Sequence, residues 1–173
     1  MLFNRINIAG TVNDSIVDGP GLRYTIFTQG CPHHCPGCHN PETHPLKGGK
    51  KIAIKKLIKE IKSNPLLMGV TFSGGEPFLQ AKKLIPIARE VKQMGLHLAC
   101  YSGYLFENLL SGQVPDAKNL LSYIDILIDG RFVLAKKSMN LKFKGSSNQR
   151  TIDVQKSLQE GKVILSDDKN WQD

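Results

Sequence analysis

Three cysteines within eight residues constrain this chain more than any other feature of its sequence. Cys31, Cys35 and Cys38 follow the spacing C-x3-C-x2-C in the segment QGCPHHCPGCHN. Cysteine thiolates hold iron–sulfur clusters, and because a cubane has four irons, three ligands leave one iron open to a small molecule. Zinc is the alternative, since His39 or His44 could complete a closed Cys3His tetrahedron. The spacing alone does not separate a cluster from zinc.

The length and composition predict a single domain over residues 1–173. The chain has 173 residues, 40% of them hydrophobic, which is enough for a substantial core. No stretch approaches the roughly 20 apolar residues of a membrane helix, so we expect no membrane partner and no secretory leader. Four cysteines are too few for a disulfide framework. We therefore expect a reducing, cytoplasmic location, with Cys100 as an inert buried thiol and a weakly ordered tail beyond residue 161.

The net charge of +8 raises the question of a nucleic-acid partner. Single-strand binders set basic residues among stacking aromatic ones, whereas the lysines at 47–62 flank an apolar stripe at helical spacing. That stripe consists of Ile54, Leu57, Ile58 and Ile61. We expect a solvated helix face and no nucleic acid here, while a second basic stretch at 136–150 could steer an acidic protein partner.

Apolar segments rich in β-branched residues alternate with amphipathic ones, which is typical of a β/α architecture with a parallel sheet. Strands are predicted at 6–12, 24–28, 69–72, 96–101, 124–128 and 162–165. Helices are predicted at 52–63, 80–94, 106–110 and 116–121. Pro86 should kink the second helix unless it lies in the first turns.

Polar or glycine-rich residues follow four of these predicted strands. The cysteine loop follows Thr28, the segment SGGEP follows Phe72, Ser102 follows Tyr101, and Asp129 follows the strand at 124–128. Ligands of parallel β/α folds bind at the carboxyl ends of strands. We expect these four strand ends to converge on one site.

The segment SGGEP at 73–77 has two local interpretations. It could be a turn into the next helix, with the Glu76 carboxylate favoured by the positive helix start. Glycines also permit close approach of the backbone, and exposed carbonyls with Glu76 could hold a cationic amine. No Lys-Ser/Thr follows the glycines, so a P-loop is excluded.

These motifs together resemble those of the radical S-adenosylmethionine enzymes. Within them the chain resembles the activating enzymes of glycyl-radical proteins, most closely those of anaerobic ribonucleoside-triphosphate reductase. The resemblance rests on VDGPGLR at 17–23, the cysteine segment at 29–40, TFSGGEP at 71–77, YSG at 101–103, DILIDG at 125–130 and GSSNQR at 145–150.

The resemblance implies a 4Fe-4S cluster on Cys31, Cys35 and Cys38, with S-adenosylmethionine chelating the open iron. One electron would cleave S-adenosylmethionine, and the 5′-deoxyadenosyl radical would take a hydrogen atom from a glycine of the reductase. The electron donor would be a flavodoxin or ferredoxin. An activase of another glycyl-radical enzyme, such as pyruvate formate-lyase, and a Cys3His zinc module that binds nucleic acid are the alternatives.

The resemblance also assigns roles to individual residues. Cofactor contacts fall to Gly37, Cys38, His39, Gly74, Gly75, Glu76, Ser102, Asp129, Gly130 and Arg131. Partner contacts fall to Asp18, Arg23, Asn148 and Arg150. Read locally, 17–21 and 129–130 are turn sequences, 145–150 is a polar loop, and His39 is a loop histidine without a role.

The implied fold is a partial (βα) barrel of radical SAM type. A complete eight-unit barrel takes about 250 residues, so about five to six parallel strands are expected. Many radical SAM enzymes carry an aromatic residue before the third cysteine, whereas this chain has Gly37. The reductase activases resemble the chain at this position.

Overall fold

Seven strands form one sheet in the computed structural model, which describes residues 4–173. The strands are β1 (Arg5–Ser15), β2 (Arg23–Thr28), β3 (Lys50–Ala53), β4 (Gly69–Gly74), β5 (His97–Ser102), β6 (Ile126–Asp129) and β7 (Arg150–Asp153). The helices are α1 (Ile54–Ser63), α2 (Ala81–Gln93), α3 (Phe106–Leu110), α4 (Ala117–Leu121) and α5 (Val154–Glu160). Across the sheet the order is β3-β1-β2-β4-β5-β6-β7.

The sheet is mixed. Strands β2, β4, β5 and β6 run parallel, whereas β1, β3 and β7 pair with their neighbours in the antiparallel sense. Parallel pairing needs a crossover connection, and no α-helix separates β1 from β2 or β6 from β7 among the described residues. The expectation of five to six parallel strands is therefore wrong, because only four strands within residues 4–173 pair with a neighbour in the parallel sense. Register pairs Thr28 with Gly74 and Ser102 with Asp129, which aligns the carboxyl ends of these four strands.

Most predicted elements are confirmed, with bounds that differ by up to three residues. The strand predicted at 162–165 is wrong, because that segment contributes only one bridge, from Leu165 to Ile152. Strands β3 and β7 and helix α5 were not predicted. Within residues 4–173, no helix combines the length and apolar character needed to cross a bilayer.

The two faces of the sheet have different environments. Strand residues alternate, so Val70 and Phe72 of β4 join the core under the helices while Thr71 and Ser73 face the other side. Helix α1 buries Ile54, Leu57 and Ile61 against that core, as its stripe predicts. Helix α2 contains Pro86 beyond its first turn and continues to Gln93. The core therefore lies between the helices and one face of the sheet, and the other face is left for a site.

Trp171 covers the second face near the amino-terminal ends of the parallel strands. It is 2% exposed and packs with Ala99, Ile126 and Ile128. Its ring stacks on His97 at 5.6 Å between centroids and lies 5.7 Å from the Arg23 guanidinium carbon. The tail, expected to be weakly ordered, is docked against the sheet through this side chain.

Candidate radical SAM site

A cavity of about 1020 Å³ lies on the face of the sheet opposite the helices. Each segment predicted to follow a strand contributes to its wall. Among the predicted residues, those that line it are Asp18, Cys31, Cys35, Cys38, His39, Gly74, Gly75, Ser102 and Gly130. The predicted convergence of four strand ends is therefore confirmed.

The cysteine loop is closed at its base by backbone hydrogen bonds. The N–H of Gly30 donates to the Thr43 carbonyl at 2.7 Å, and the N–H of Cys31 donates to the His44 carbonyl at 3.0 Å. The Gln29 side chain donates to two further carbonyls of the returning segment, at 2.8 and 3.2 Å. These contacts hold the two ends of the loop together beside the end of β2, and they fix Cys31 there.

The three loop thiols are free and differ in exposure. Cys31 is buried, while Cys35 and Cys38 are half-buried. Burial raises the pKa of the Cys31 thiol, and hydrogen bonds from the backbone of His33 and His34 partly offset this rise. In the described residues no three His, Cys, Asp or Glu side chains converge on a point suited to a single ion. A cubane does not need such convergence, because each thiolate binds a different iron.

Gly74 and Gly75 allow the end of β4 to touch the start of the cysteine loop. A Cβ on Gly75 would lie 2.3 Å from the carbonyl oxygen of Gly30, and Gly74 has a φ of +94° with backbone atoms of Phe27 and Thr28 within 2.6 Å of its Cβ position. The N–H groups of Gly75 and Glu76 donate to the carbonyls of Thr28 and Gly30, both at 2.8 Å. The glycines thus permit close approach, here of one backbone to another.

Gly75→Ala is expected to destabilise the protein by about 1–3 kcal/mol, because the new methyl group overlaps a backbone oxygen that cannot move freely. Gly10→Ala is the matched control, since no atom lies within 4 Å of its Cβ position. Urea unfolding of the cluster-free proteins measures both. Equal stabilities for the two variants would show that the Gly75 contact relaxes at no cost.

Glu76 joins three segments beneath the cavity. Its carboxylate is fully buried and accepts hydrogen bonds from Ser102 Oγ at 2.9 and 3.0 Å and from the Gly103 N–H at 2.8 Å. It also accepts from the Phe78 N–H at 3.0 Å and lies 2.7 Å from Nε2 of His33. The carboxylate is thus held by the protein itself, beside the glycines that line the cavity.

Asp129 and Arg150 form an ion pair behind Gly130. Asp129 is fully buried, accepts from Nε of Arg150 at 2.9 Å and from its terminal nitrogen at 2.5 Å, and also accepts the Phe106 N–H. Arg150 reaches Glu107 at 2.7 and 3.0 Å as well. These hydrogen bonds raise the pKa of Arg150 and lower that of Glu107. The geometry favours a structural role for this pair over the cofactor and partner contacts expected.

Of the remaining predicted residues, some lie outside the cavity wall and one lines it. Gly37 and Arg131 are exposed, and Asn148 donates to the Arg131 carbonyl at 2.8 Å. Asp18 lines the cavity and accepts from Ser15 Oγ and Thr25 Oγ1.

Arg23 is 2% exposed and is surrounded by internal partners. It donates to Thr71 Oγ1 at 2.7 Å and to the Val70 carbonyl at 2.9 Å. Burial lowers its pKa to about 10. The geometry favours a packing role beneath Trp171 over the expected contact with a partner.

Sequence reasoning missed several residues of the cavity wall. His33 carries a signal that could have found it, because it lies between two of the cysteines. The loop at 132–144 gave no such signal beyond its positive charge, and it contributes the wall residues Phe132, Lys137, Ser138, Met139, Leu141, Phe143 and Lys144. Gly145 and Gln149, which also line the cavity, belong to the segment at 145–150 on which the resemblance rests.

Comparisons with known proteins agree with this geometry. The family of 4Fe-4S single cluster domains matches residues 17–152. The anaerobic ribonucleoside-triphosphate reductase-activating protein of Vibrio cholerae is 32% identical over 139 residues, covering 78% of this chain and 89% of that protein. Its counterpart in Escherichia coli K12 is 32% identical over 143 residues, covering 78% and 90%.

A further relative is the pyruvate formate-lyase-activating enzyme of Clostridium pasteurianum, which is 42% identical over 114 residues. The match covers 62% of this chain, which spans about half (47%) of that enzyme. Among solved structures, QueE from Escherichia coli gives a TM-score of 0.47 with 15% identity, over 57% of this chain and 53% of that one.

The cysteine spacing, the segment that follows β4 and the near-complete coverage of relatives agree, and they confirm the resemblance stated from the sequence. The chain belongs to the 4Fe-4S single cluster domain family and is a member of the family of anaerobic ribonucleoside-triphosphate reductase-activating proteins.

Proposed function

We propose that this chain is a radical SAM activase that generates a glycyl radical on anaerobic ribonucleoside-triphosphate reductase. The observation that carries the proposal is the placement of Cys31, Cys35 and Cys38 with Gly74 and Gly75 around one cavity. Relatives that bear this activity in their names are covered over about nine-tenths of their length (89% and 90%).

The cavity fits the two groups that this function needs. Three unpaired thiols on its wall suit three irons of a 4Fe-4S cluster. The buried Nδ1 of His33 beside them has no hydrogen-bond partner among the described residues, which suits a polar ligand. When bound, the reduced cluster supplies one electron to S-adenosylmethionine, whose cleavage yields the radical that removes a hydrogen atom from glycine. Cys31, Cys35 and Cys38 would hold the cluster.

The chain's own residues orient the ligand and exclude water. Gly74, Gly75 and Ser102 at the strand ends would lie along the methionine portion, and His39 and Gly130 line the same cavity. Aromatic side chains complete the wall at Phe27, Tyr101, Phe132 and Phe143. A wall of this kind keeps a reactive ligand in one geometry, and position decides which C–H bond is attacked.

The finer points of fold and setting belong to the same proposal. We take the sheet as a partial (βα) barrel of radical SAM type whose unclosed side admits the reductase. The electron donor is proposed to be a flavodoxin or ferredoxin. The cytoplasmic location is a prediction that four unpaired cysteines support.

Electron paramagnetic resonance on anaerobically reconstituted and reduced protein tests the proposal. We expect a 4Fe-4S signal that changes when S-adenosylmethionine is added, and a glycyl-radical signal when the reductase is then supplied. Reconstitution without labile sulfide would contradict the proposal and favour a zinc site. A signal that does not respond to S-adenosylmethionine would contradict the activase function.

A pyruvate formate-lyase activase is the second candidate, because one such enzyme is 42% identical over 114 residues. The reductase activases are favoured because the chain spans 89% and 90% of them but only 47% of that enzyme. Supplying each purified partner in turn distinguishes the two, since the glycyl radical should form on the reductase alone.

Asp18→Ala is expected to lower the yield of glycyl radical on the reductase several-fold while leaving the Kd for S-adenosylmethionine within about twofold. Asp18 lies in the turn between β1 and β2, where its carboxylate holds Ser15 and Thr25 and so shapes one side of the cavity. Asp18→Asn, which keeps an acceptor oxygen, is the control and should retain most of the yield. An unchanged yield in Asp18→Ala would remove the residue from the partner surface.

A further inference from the structure

Two exposed leucines lie against the base of the cysteine loop. Leu46 is 73% exposed and Leu79 is 42% exposed. A Cβ on Gly30 would lie 3.1 Å from Cδ2 of Leu46 and 3.9 Å from Cδ1 of Leu79, so the two side chains lie beside each other. Gly30 directly precedes Cys31, which lines the cavity, whereas neither leucine contributes to the cavity wall. The leucines therefore cover the outer side of the loop that carries the thiols.

Hydrogen bonds hold the backbone on both sides of Leu46. The carbonyl of Pro45 accepts from the Gln29 side chain at 2.8 Å, and the carbonyl of Gly48 accepts from the Asn7 side chain at 2.9 Å. The leucine is thus presented to solvent at a fixed place. Exposed apolar patches with a polar rim mark interaction sites, so the residues around the pair decide how it is interpreted.

Exposed lysines follow Leu46 along the chain. Lys47, Lys50 and Lys51 are exposed, and no carboxylate within residues 4–173 forms an ion pair with them. Glu42 is the one acidic residue between positions 41 and 51, against these three lysines. The chain as a whole carries a net charge of +8. An apolar centre beside charges of one sign is complementary to a partner of the opposite charge, here an acidic protein.

Two proteins must reach the proposed site, and their requirements differ. The reductase has to place a glycine inside the cavity, whereas an electron carrier has only to approach the cluster. A surface on the outer side of Gly30 meets the second requirement, because it adjoins Cys31 without lying on the cavity wall. Electron-transfer complexes bury less than about 1,200 Å² and are transient, which suits a centre of two leucines. The position and size of the surface therefore favour the carrier.

We propose that an acidic one-electron carrier protein docks on the outer side of the cysteine loop. Its docking surface consists of Leu46, Leu79, Lys47, Lys50 and Lys51. The proposal rests on the proposed function and names where its reductant binds. One electron leaves the reduced carrier, which is oxidised by one electron, and enters the oxidised cluster, which is reduced by one. The lysines attract the carrier, and the leucines exclude water where the two proteins approach each other.

The double variant Leu46→Asp/Lys47→Glu tests this surface, with an acidic flavodoxin as the carrier. We expect its Kd for flavodoxin to rise about tenfold or more, measured by titration calorimetry on the anaerobically reconstituted protein. The rate at which reduced flavodoxin reduces the cluster, followed by stopped-flow absorbance at limiting flavodoxin, should fall by a similar factor. Reduction by dithionite, a small reductant that needs no docking surface, should be unchanged, as should the Kd for S-adenosylmethionine.

Leu66→Asp/Lys118→Glu is the matched control, because it changes the net charge by the same amount. Leu66 is also 73% exposed, but it precedes β4, at the end of that strand remote from the cysteine loop. Lys118 is exposed in α4. The Kd of the control for flavodoxin should stay within about twofold of that of the unaltered protein, because distant exposed charges are screened at about 0.15 M ionic strength.

Equal weakening in both double variants would overturn the proposal, since net charge alone would then guide the carrier. An unchanged Kd for flavodoxin in Leu46→Asp/Lys47→Glu would overturn it as well. If that variant loses iron and sulfide, Lys47→Gln/Lys50→Gln decides. Its Kd for flavodoxin should depend less on salt than that of the unaltered protein, and an unchanged salt dependence overturns the proposal.

Two further outcomes involve the reductase and the proposed function. A lower yield of glycyl radical in Leu46→Asp/Lys47→Glu with dithionite as the reductant would assign the surface to the reductase and overturn the proposal. An unaltered protein that dithionite reduces but that does not cleave S-adenosylmethionine would instead refute the proposed function. The Kd for flavodoxin would still decide whether the carrier docks at this surface.

Discussion

Cys35→Ser is expected to abolish the iron–sulfur cluster and every step that depends on it. A cubane held by three protein thiolates loses a third of its anchors, and a serine hydroxyl does not replace a soft thiolate. Reconstituted wild-type protein should carry about four irons and about four sulfides per chain, and the variant close to none. Chemical analysis of iron and sulfide, with electron paramagnetic resonance of the reduced sample, measures the loss.

Cys100→Ala is the control for this experiment. Cys100 is fully buried in β5 on the helix face of the sheet, and burial raises its pKa well above the usual value of a thiol. The variant should keep its cluster and lose only modest stability. A Cys35→Ser protein that retains a full cluster, or a Cys100→Ala protein that lacks one, would contradict the assignment of the three loop cysteines.

Arg150→Ala is expected to destabilise the fold by about 3–5 kcal/mol, because it leaves the buried Asp129 carboxylate without its counter-charge. Strand β7 begins at Arg150 and pairs with β6, so the edge of the sheet beside Gly130 should loosen with it. Chemical denaturation of the cluster-free variant measures the change in the free energy of unfolding.

Glu107→Gln is the matched control for Arg150. Glu107 binds the same guanidinium, but its side chain is 56% exposed, and surface pairs of this kind contribute about 0–1 kcal/mol. A small effect of Arg150→Ala on stability with a large effect on activation of the reductase would reverse the interpretation. Arg150 would then contact the reductase, as the sequence predicted.

The sequence predicted the parallel centre of the sheet and the convergence of its strand ends, because strand periodicity and turn residues are local signals. It did not predict β3 and β7, which are four residues each and carry charged residues. Strand β3 continues a run of lysines, and β7 begins inside a polar loop. Both lie at the edges of the sheet, where fewer side chains are buried and the alternation of apolar and polar residues is therefore weak.

The sequence predicted which cysteines would hold a cluster, but it did not predict the contacts that position the residues around them. Cysteine spacing identifies thiols directly, whereas all but one of the hydrogen-bond partners of Arg23 lie 47 to 74 positions along the chain. No local pattern reveals that the charge of Arg23 is buried under Trp171 rather than exposed to a partner. Glu76 shows the same difficulty, since its carboxylate is placed by a serine 26 residues away and by His33, 43 residues away.

The contact between Gly30 and Gly75 also bears on whether the chain folds before or after it receives its cluster. The cysteine loop takes its shape against the end of β4, and the closing contact between His33 and Glu76 spans 43 residues. Contacts of such sequence separation form late in folding, because closing the loop costs conformational entropy before the contact stabilises the chain. We therefore expect β2 and β4 to pair before the three thiols reach their final places. Iron and sulfide would then be received by a folded chain rather than by a nascent one.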